Sequence, residues 1–252
     1  MTFDPLELNY SKVKAYLDCP CLYKYIYAQR RFAPLNAHAS LGLSVHGALA
    51  RYHALGGDLS DLLAYYDDSW NNRGYATAQQ SMEFYNIGSK ALENYWLAER
   101  SEKSRIVFSE KVFQFAFEKW RVRGTIDRVD RLDGECFELI DYKMGFEKKT
   151  PADAAQSLQL AIYALGLKRA LNITVKKVSF FVLNGQSSGG AVPEAAGQQN
   201  GPYKVSADYD GLGDEKTLAL LREIGEKILA MDFPRAGNCP RCPIKNLCPQ
   251  AV

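Results

Sequence analysis

The chain has 252 residues, of which 47% are hydrophobic and 24% are charged, and its formal net charge at pH 7 is +2. These fractions are typical of globular proteins and exclude disordered, collagenous and coiled-coil chains. No apolar run approaches the ~20 residues that cross a bilayer, and residues 1–8 contain acids where a secretory signal has a basic segment. We therefore expect a cytoplasmic protein with no membrane partner.

Helices are predicted for most of the first hundred residues. Ser11 can cap a first helix that runs to Asp18, and Pro20 begins a second helix that ends near Arg30. Clusters of glycine and asparagine then divide the sequence into further segments with helical patterns. These segments are residues 43–55, 59–70 and 75–100.

The pattern changes from helix to strand after the first hundred residues. Aromatic and β-branched residues dominate the runs 106–109 and 112–117, and residues 120–129 alternate with a period of two. Residues 137–143 form the next predicted strand, after a turn at Asp133. Short turns between consecutive strands predict an antiparallel meander.

The rest of the chain alternates between helix and strand. A helix is predicted over residues 152–171, a buried strand over 177–183, a mobile loop over 185–201 and a last helix over 214–231. This order predicts an α/β (α+β) fold in which helices flank a mixed sheet.

We expect the chain to form one unit over residues 1–252, because no linker-like stretch divides it. Within this unit, residues 1–104 are mainly helical and residues 105–231 form the sheet-bearing core. Residues 232–252 form a tail that is rich in cysteine and proline.

Basic side chains are concentrated at both ends of the chain. Residues 11–31 carry five basic side chains and one acid, and residues 233–252 carry three basic side chains and no acid. This distribution is typical of a protein that binds an anionic polymer, and it also fits two solvated surfaces without a ligand. In the first segment, four tyrosines either offer stacking faces for unpaired bases or pack against neighbouring helices. They are Tyr16, Tyr23, Tyr25 and Tyr27.

Three of the six cysteines form a C-x2-C-x5-C pattern near the C-terminus. They are Cys239, Cys242 and Cys248, whereas Cys19 and Cys21 lie near the other end. Thiolates at this spacing can bind one soft metal centre from a tight turn, and a tetrahedral zinc site or an iron–sulfur cluster needs a fourth ligand. We expect a cysteine from the N-terminal region to supply it.

Two carboxylates are candidates for chemistry. Asp127 lies in the strand predicted over 120–129, and Asp141 lies near the end of the next strand, where Lys143 shares its face. Adjacent antiparallel strands can bring the carboxylates together, and Mg²⁺ or Mn²⁺ then suits their oxygens. A divalent ion beside an ammonium group can hydrolyse a phosphodiester, although an Asp-x-Lys triplet alone also fits an exposed ion pair.

His46 can complete the ligand set of such an ion, because a neutral imidazole is a common metal ligand. A single histidine in a helix is as often a core or surface residue. The sequence contains no phosphate-binding loop of the Gly-x4-Gly-Lys-Ser/Thr type and no His-Glu-x-x-His zinc helix, so motor, kinase and zinc-protease activities lack their motifs.

Six motifs occur in an order that matches a known family. They are Ser11–Pro20 with its Cys-Pro ending, Gly42-x-x-x-His46, Gly124-Thr-Ile-Asp127, Asp141-Tyr-Lys143, Gln159-x-x-x-Tyr163 and the closing cysteine triplet. Together they resemble the RecB-type branch of the PD-(D/E)XK nucleases. The resemblance extends from Ser11 to Pro249 and is strongest to members with an iron–sulfur cluster, namely the CRISPR-associated RecB-like exonucleases and the AddB nuclease domain.

The resemblance implies a restriction-endonuclease-like fold and a metal-dependent deoxyribonuclease. It implies that Mg²⁺ or Mn²⁺ is bound by His46, Asp127, Asp141 and the backbone carbonyl of Tyr142, and that Lys143 positions the attacking water. Gln159 and Tyr163 would contact DNA or support Lys143. Glu110 stands where many relatives have an acid, and would support the ligands without binding the ion.

The resemblance also implies a [4Fe–4S] cluster bound by Cys19, Cys239, Cys242 and Cys248, with Cys21 as an alternative fourth ligand and Zn²⁺ as an alternative metal. The expected substrate is single-stranded DNA or DNA ends, in DNA repair, recombination or CRISPR adaptation, a form of antiviral defence. The expected partners are a helicase or CRISPR adaptation proteins. The alternative function is a DNA-binding or scaffolding subunit with little activity of its own.

Overall fold

The structure, a computed structural model, describes residues 4–31, 35–101, 105–145, 147–185, 201–236, 239 and 242–248. These residues form a six-stranded mixed sheet with helices on both faces. The predicted fold class is therefore confirmed. No helix among the described residues is long and apolar enough to cross a membrane.

The strands are β1 (Glu7–Leu8), β2 (Ile106–Phe117), β3 (Trp120–Arg131), β4 (Phe137–Lys143), β5 (Val175–Val182) and β6 (Tyr203–Asp208). The helices are α1 (Tyr10–Asp18), α2 (Pro20–Tyr23), α3 (Ala37–Leu55), α4 (Leu59–Ser69), α5 (Ala78–Ser101), α6 (Pro151–Ala155), α7 (Leu158–Leu171) and α8 (Asp214–Leu229). A π-helical segment, Lys24–Ala28, follows α2 directly.

The sheet is built around the predicted meander of β2, β3 and β4, which pair antiparallel. β5 then pairs parallel with β4, because α6 and α7 carry the chain back across the sheet, and β6 adds an antiparallel edge. The short β1 pairs parallel with β3 at Arg121 and Val122. The sheet is therefore mixed, and β3 and β4 lie at its centre.

Apolar side chains cover both faces of the sheet. On one face, α1, α7 and α8 pack against residues such as Val129 and Leu139. On the other face, α3, α4 and α5 pack against Ile140 and Tyr142. Neighbouring residues of β4 point to opposite faces of the sheet, and helices cover both faces. The polar side chains of β4 are therefore largely buried and must find hydrogen-bond partners within the protein.

Strand β2 is bent at Glu110, which adopts a left-handed backbone conformation with φ of 47°. Such a conformation is strained for a residue with a side chain, and in a strand it redirects the neighbouring side chains. Strands β2 and β3 remain paired on both sides of Glu110, with Ser109 opposite Arg128 and Lys111 opposite Ile126. The bend therefore lies beside Asp127.

Several boundaries differ from the predicted ones. The N-cap of α1 is Asn9, whose side chain accepts a hydrogen bond from the Lys12 amide, so the prediction of Ser11 as the cap was wrong. The helix predicted over 152–171 is broken at residues 156–157, and β6 was not predicted. The loop predicted over 185–201 lies outside the described residues except at its two ends.

Two glycines allow α7 to pack closely on the sheet. A Cβ atom would lie 2.7 Å from the ring of Phe113 at Gly124, and 2.4 Å from that ring at Gly166. The Phe113 ring therefore fills the space between β3 and α7. This contact brings the start of α7, with Gln159, next to the end of β4.

We predict that Gly166→Ala destabilises the protein by roughly 1–2 kcal/mol. The free-energy cost of forcing a methyl group against the Phe113 ring exceeds the gain in helix propensity on replacing glycine with alanine. Gly42→Ala is the matched control, since a Cβ atom there meets nothing within 4 Å in another helix. It should be neutral, or stabilising by up to ~1 kcal/mol. Urea unfolding measures both, and equal effects would contradict the role of close packing.

Candidate active site

Asp127 and Asp141 face each other across the central pair of strands. The register pairs Arg128 with Ile140, which places the two aspartates directly opposite each other. Asp127 Oδ2 accepts a hydrogen bond of 2.8 Å from the Tyr142 amide, and Asp141 Oδ1 accepts one of 2.6 Å from Gln159 Nε2. One oxygen of each carboxylate is therefore fixed by the protein.

The remaining oxygen of Asp141 faces the Lys143 ammonium. Asp141 Oδ2 is buried and accepts no hydrogen bond of acceptable geometry from the residues that the structure describes, although Lys143 Nζ lies 2.6 Å away. A buried carboxylate oxygen without a donor is costly unless a cation compensates its charge. Lys143 is such a cation, and a divalent ion bound at this oxygen would add to its effect.

Lys143 is held at the end of β4 by Gln159. Gln159 Oε1 accepts a hydrogen bond of 2.9 Å from Lys143 Nζ, while Gln159 Nε2 bonds to Asp141 and lies 3.3 Å from the Tyr163 hydroxyl. Both ends of the Gln159 amide are therefore used within the protein. Burial lowers the pKa of Lys143, but the charge of Asp141 outweighs burial and raises the pKa overall, so the ammonium stays protonated.

His46 and Glu110 complete an acidic cluster around Asp127. Ligand atoms of His46, Glu110 and Asp127 all lie within 4.8 Å of one another, and His46 Nδ1 is 3.4 Å from Asp127 Oδ1. Asp141 is not part of this compact group, but it lies opposite Asp127, and we call the four residues together the acidic cluster. About one third of the His46 side chain is exposed, so the cluster is open to solvent on this side.

The pKa values in the acidic cluster reflect an excess of negative charge. Burial and the charge of Asp127 raise the pKa of Asp141 to about 6, and the same causes raise the pKa of Glu110 to about 7. Burial lowers the pKa of His46, but its hydrogen bond with Asp127 and the nearby carboxylates outweigh burial and raise it to about 9. Groups that hold protons this strongly would exchange them for a cation.

The donors of this cluster fit a hard divalent ion. Carboxylate oxygens and one imidazole are the ligands that Mg²⁺ and Mn²⁺ accept. Asp127 Oδ1 faces His46 and Asp141 Oδ2 faces Lys143, so the second oxygen of each carboxylate already lies where positive charge is favourable. Glu110 lies close enough to be a ligand itself, whereas the family resemblance implied that it only supports the ligands.

A buried polar network lies behind the acidic cluster, on the face covered by α3 and α5. Arg128 is 1% exposed and forms two hydrogen bonds of 2.6 Å with Asp130 and an ion pair of 2.9 Å with Glu99. Its Nη1 also donates to the Tyr95 hydroxyl at 3.0 Å, and that hydroxyl lies 3.0 Å from the Tyr142 hydroxyl. Hydrogen bonds among Arg128, Tyr95 and Tyr142 therefore join β3 and β4 to α5.

His53 extends this network to two further elements. Its Nε2 lies 2.8 Å from the Tyr95 hydroxyl, and its Nδ1 lies 3.0 Å from Ser109 Oγ. Burial and the charge of Arg128 lower the pKa of His53 to about 4, so the ring is neutral. The sequence patterns assigned no role to His53, Tyr95 or Arg128, because their contacts join residues far apart in the chain.

Cysteines from both ends of the chain line one small cavity of about 20 Å³, which is partly open to solvent. The lining cysteines are Cys19, Cys21, Cys239, Cys242 and Cys248. Arg235 and Lys245 also line it, and Leu22 and Tyr25 pack against Ile244 beside it. The two basic ends of the chain therefore meet at this cavity.

The thiols around the cavity are not arranged like a compact metal site. Among the described residues, no three cysteine sulfurs lie within 4.8 Å of one another. Cys21 Sγ donates a hydrogen bond of 3.4 Å to the Phe233 carbonyl. Cys136 lies apart from the cavity, in the turn between β3 and β4.

The structure does not support base stacking by most of the tyrosines in the first segment. Tyr16, Tyr23 and Tyr25 are buried, and Tyr23 stacks on Phe233 with ring centroids 5.7 Å apart. Tyr27 is half-buried against the same group of rings. Their alternative interpretation, packing between helices, therefore holds.

We predict that Asp130→Ala lowers the free energy of unfolding by about 3 kcal/mol or more, because it leaves a buried guanidinium undercompensated. Asp68→Ala is the matched control. It breaks an ion pair of 2.9 Å with Arg51 whose side chains are 42% and 61% exposed, and it should cost less than ~1 kcal/mol. Urea unfolding measures both, and similar losses would show that the Arg128 pair is not an important constraint.

Comparison with known proteins agrees with this geometry. A search of curated proteins gives no match. A solved structure from Eubacterium rectale, named "Putative exonuclease", has a TM-score of 0.53 at 11% identity, covering 96% of this chain and 88% of the other, and shows a shared fold. A second solved structure, SSO0001, has a TM-score of 0.38 at 12% identity, covering 92% and 95% of the two chains. The profile of the PD-(D/E)XK nuclease superfamily matches residues 7–249, and the chain belongs to that superfamily.

Proposed function

We propose that this chain is a metal-dependent deoxyribonuclease, and that it acts as an exonuclease on single-stranded DNA or DNA ends. The observation that carries the proposal is the meeting of Asp127, Asp141 and Lys143 at the end of the central strands, with His46 beside them. Membership in a nuclease superfamily supports the same activity.

His46, Asp127 and Asp141 would hold Mg²⁺ or Mn²⁺, together with the backbone carbonyl of Tyr142. Glu110 lies close enough to His46 and Asp127 to be a further ligand, which goes beyond its expected supporting role. The ion would polarise a phosphoryl oxygen and lower the pKa of bound water. Binding it would also remove the excess negative charge that raises the pKa values of the carboxyl groups.

Lys143 would orient the attacking water as a hydrogen-bond donor. A lysine ammonium has three protons, of which one bonds to Gln159 Oε1 and one points toward Asp141. The third remains for the water or a phosphate oxygen, where the positive charge offsets developing negative charge. Because the pKa of Lys143 is raised, this residue positions the water and does not remove its proton.

Gln159 would support Lys143 instead of contacting DNA. Its amide oxygen and nitrogen are already bonded to Lys143 and Asp141, which fixes the separation of those two groups. Tyr163 packs edge-on against Phe113 and places its hydroxyl near Gln159. Of the two roles that the sequence left open for Gln159 and Tyr163, the hydrogen bonds favour the supporting one.

The DNA would lie along the basic surface where the chain ends meet. Arg235 and Lys245 line the cysteine cavity, and the cations of both end segments that the structure describes as exposed would extend this surface. They include Lys24, Arg30 and Arg31. A partner in repair, recombination or CRISPR adaptation would supply unpaired strands.

The cysteine cavity would hold a [4Fe–4S] cluster as a structural clasp. Tetrahedral zinc with bonds of ~2.3 Å places all its sulfur ligands about 3.8 Å apart, whereas among the described cysteines no three sulfurs lie within 4.8 Å of one another. A four-iron cluster binds each thiolate at a different iron and therefore suits wider spacing. Arg235 and Lys245, which line the cavity, would offset the negative charge of the thiolates.

Cys19 would be the fourth cluster ligand. Cys21 uses its thiol proton in the bond to the Phe233 carbonyl, whereas a cluster ligand must be a thiolate. Cys21 would therefore support the chain next to the cluster without binding iron.

We predict that protein purified without oxygen degrades end-labelled single-stranded DNA in the presence of Mn²⁺ or Mg²⁺. Asp141→Asn and Lys143→Met should each slow cleavage by about 100-fold or more, because the first removes a charged ligand of the metal ion and the second removes the ammonium that offsets developing negative charge. Asp133→Asn and Lys216→Met change exposed residues outside the site and should keep the parent rate. Surviving DNA, or unchanged rates in the first two variants, would contradict the proposal, and binding without cleavage would favour a scaffolding subunit.

We predict that the same preparation is brown and contains iron and acid-labile sulfide. Cys19→Ser should lose most of both, whereas Cys21→Ser should retain them, because only the first substitution removes a ligand. Cys136→Ser is the matched control, since Cys136 lies outside the cavity. Zinc in place of iron, or loss of the cluster in Cys21→Ser alone, would refute this assignment.

A further inference from the structure

Each element that supplies a residue to the acidic cluster also supplies one to the buried network behind it. The pairs are His46 and His53 on α3, Glu110 and Ser109 on β2, Asp127 and Arg128 on β3, and Asp141 and Tyr142 on β4. On the strands the paired residues are adjacent, so one points toward the cluster and the other toward the opposite face. Movement within the network would therefore move the cluster.

His53 has a special position in this arrangement, because both of its ring nitrogens form bonds to other elements. Nδ1 reaches Ser109 on β2 at 3.0 Å, and Nε2 reaches Tyr95 on α5 at 2.8 Å. Ser109 directly precedes Glu110, whose left-handed backbone is strained. The first bond thus holds α3 to the strained part of β2.

The protons of the network can be assigned from its contacts. Tyr95 can donate to His53 Nε2 while it accepts hydrogen bonds from Arg128 and from the Tyr142 hydroxyl. The proton on His53 Nδ1 then points to Ser109 Oγ. In this arrangement each of these protons has an acceptor, and the imidazole is neutral, in agreement with its lowered pKa.

We propose that His53 is a positioning residue for the metal-binding cluster. Its neutral ring fixes α3 against β2 and α5, which sets the distance between His46 and Glu110 before an ion binds. The inference rests on the proposed function, since it assigns His53 to the metal site of the nuclease. Hydrogen-bonding partners behind a metal site commonly change metal affinity by 10–100-fold when they are removed.

The test measures Mn²⁺ affinity of the full-length protein in the absence of DNA, by titration calorimetry or by electron paramagnetic resonance of free Mn²⁺. His53→Leu should weaken binding by about tenfold or more, because both bonds are lost while the apolar volume is largely kept. His53→Asn can still donate to Ser109 and should give an intermediate affinity. Circular dichroism and urea unfolding report separately on folding.

Tyr66→Phe is the matched control for general damage to the helical layer. The Tyr66 hydroxyl donates a hydrogen bond of 3.2 Å to the Tyr85 carbonyl and lies in the core formed by α3, α4 and α5. Its loss should lower stability without changing Mn²⁺ affinity. If Tyr66→Phe lost Mn²⁺ affinity in the same proportion to its loss of stability as His53→Leu does, the His53 effect would be only structural. That result would overturn the proposal.

Tyr95→Phe provides a second test that does not depend on the folding of His53→Leu. It removes one hydroxyl from the same chain of hydrogen bonds, so it should also weaken Mn²⁺ binding. The double variant His53→Leu, Tyr95→Phe should bind Mn²⁺ about as weakly as the weaker-binding single variant, because both substitutions break the same chain of hydrogen bonds. Parental affinity in His53→Leu and Tyr95→Phe would overturn the proposal, whereas a parent protein that binds no Mn²⁺ would overturn the proposed function as well.

Discussion

Two carboxylates that lie side by side with little access to water repel each other unless a proton or a cation joins them. Asp127 and Asp141 are in this situation, since they are 8% and 2% exposed and lie opposite each other on the central strands. The protein provides Lys143 and His46 as positive partners, and it fixes one oxygen of each carboxylate with a hydrogen bond. The other oxygens face these two cations, and a divalent ion bound there would reduce the repulsion further.

The surrounding fold maintains this unfavourable pairing from both faces of the sheet. On one face, the close approach of α7 around Phe113 allows Gln159 to hold Lys143 and Asp141. On the other face, the buried Arg128 and its partners join β3 and β4 to the helices α3 and α5. Hydrogen bonds of this kind are favourable only when every polar group is satisfied, so the whole network must form together.

The sequence predicted those parts of the structure that depend on local patterns. The period-two alternation of β3 and the strand-like run of β4 after a turn predicted the meander and placed Asp141 and Lys143 on one face. The two-residue β1 and the edge strand β6 were missed, because their pairing depends on distant strands and their own patterns are weak. The bend at Glu110 and the bonds of His53 were missed for the same reason, since they join residues of distant segments.

The central claim is that residues from β2, β3, β4 and α3 share one divalent ion. A crystal structure of the full chain grown with Mn²⁺, with anomalous diffraction recorded at the manganese edge, tests it most directly. One strong anomalous peak within bonding distance of His46, Asp127 and Asp141 is the predicted result. A peak bound elsewhere, or no peak at saturating Mn²⁺, would contradict the account.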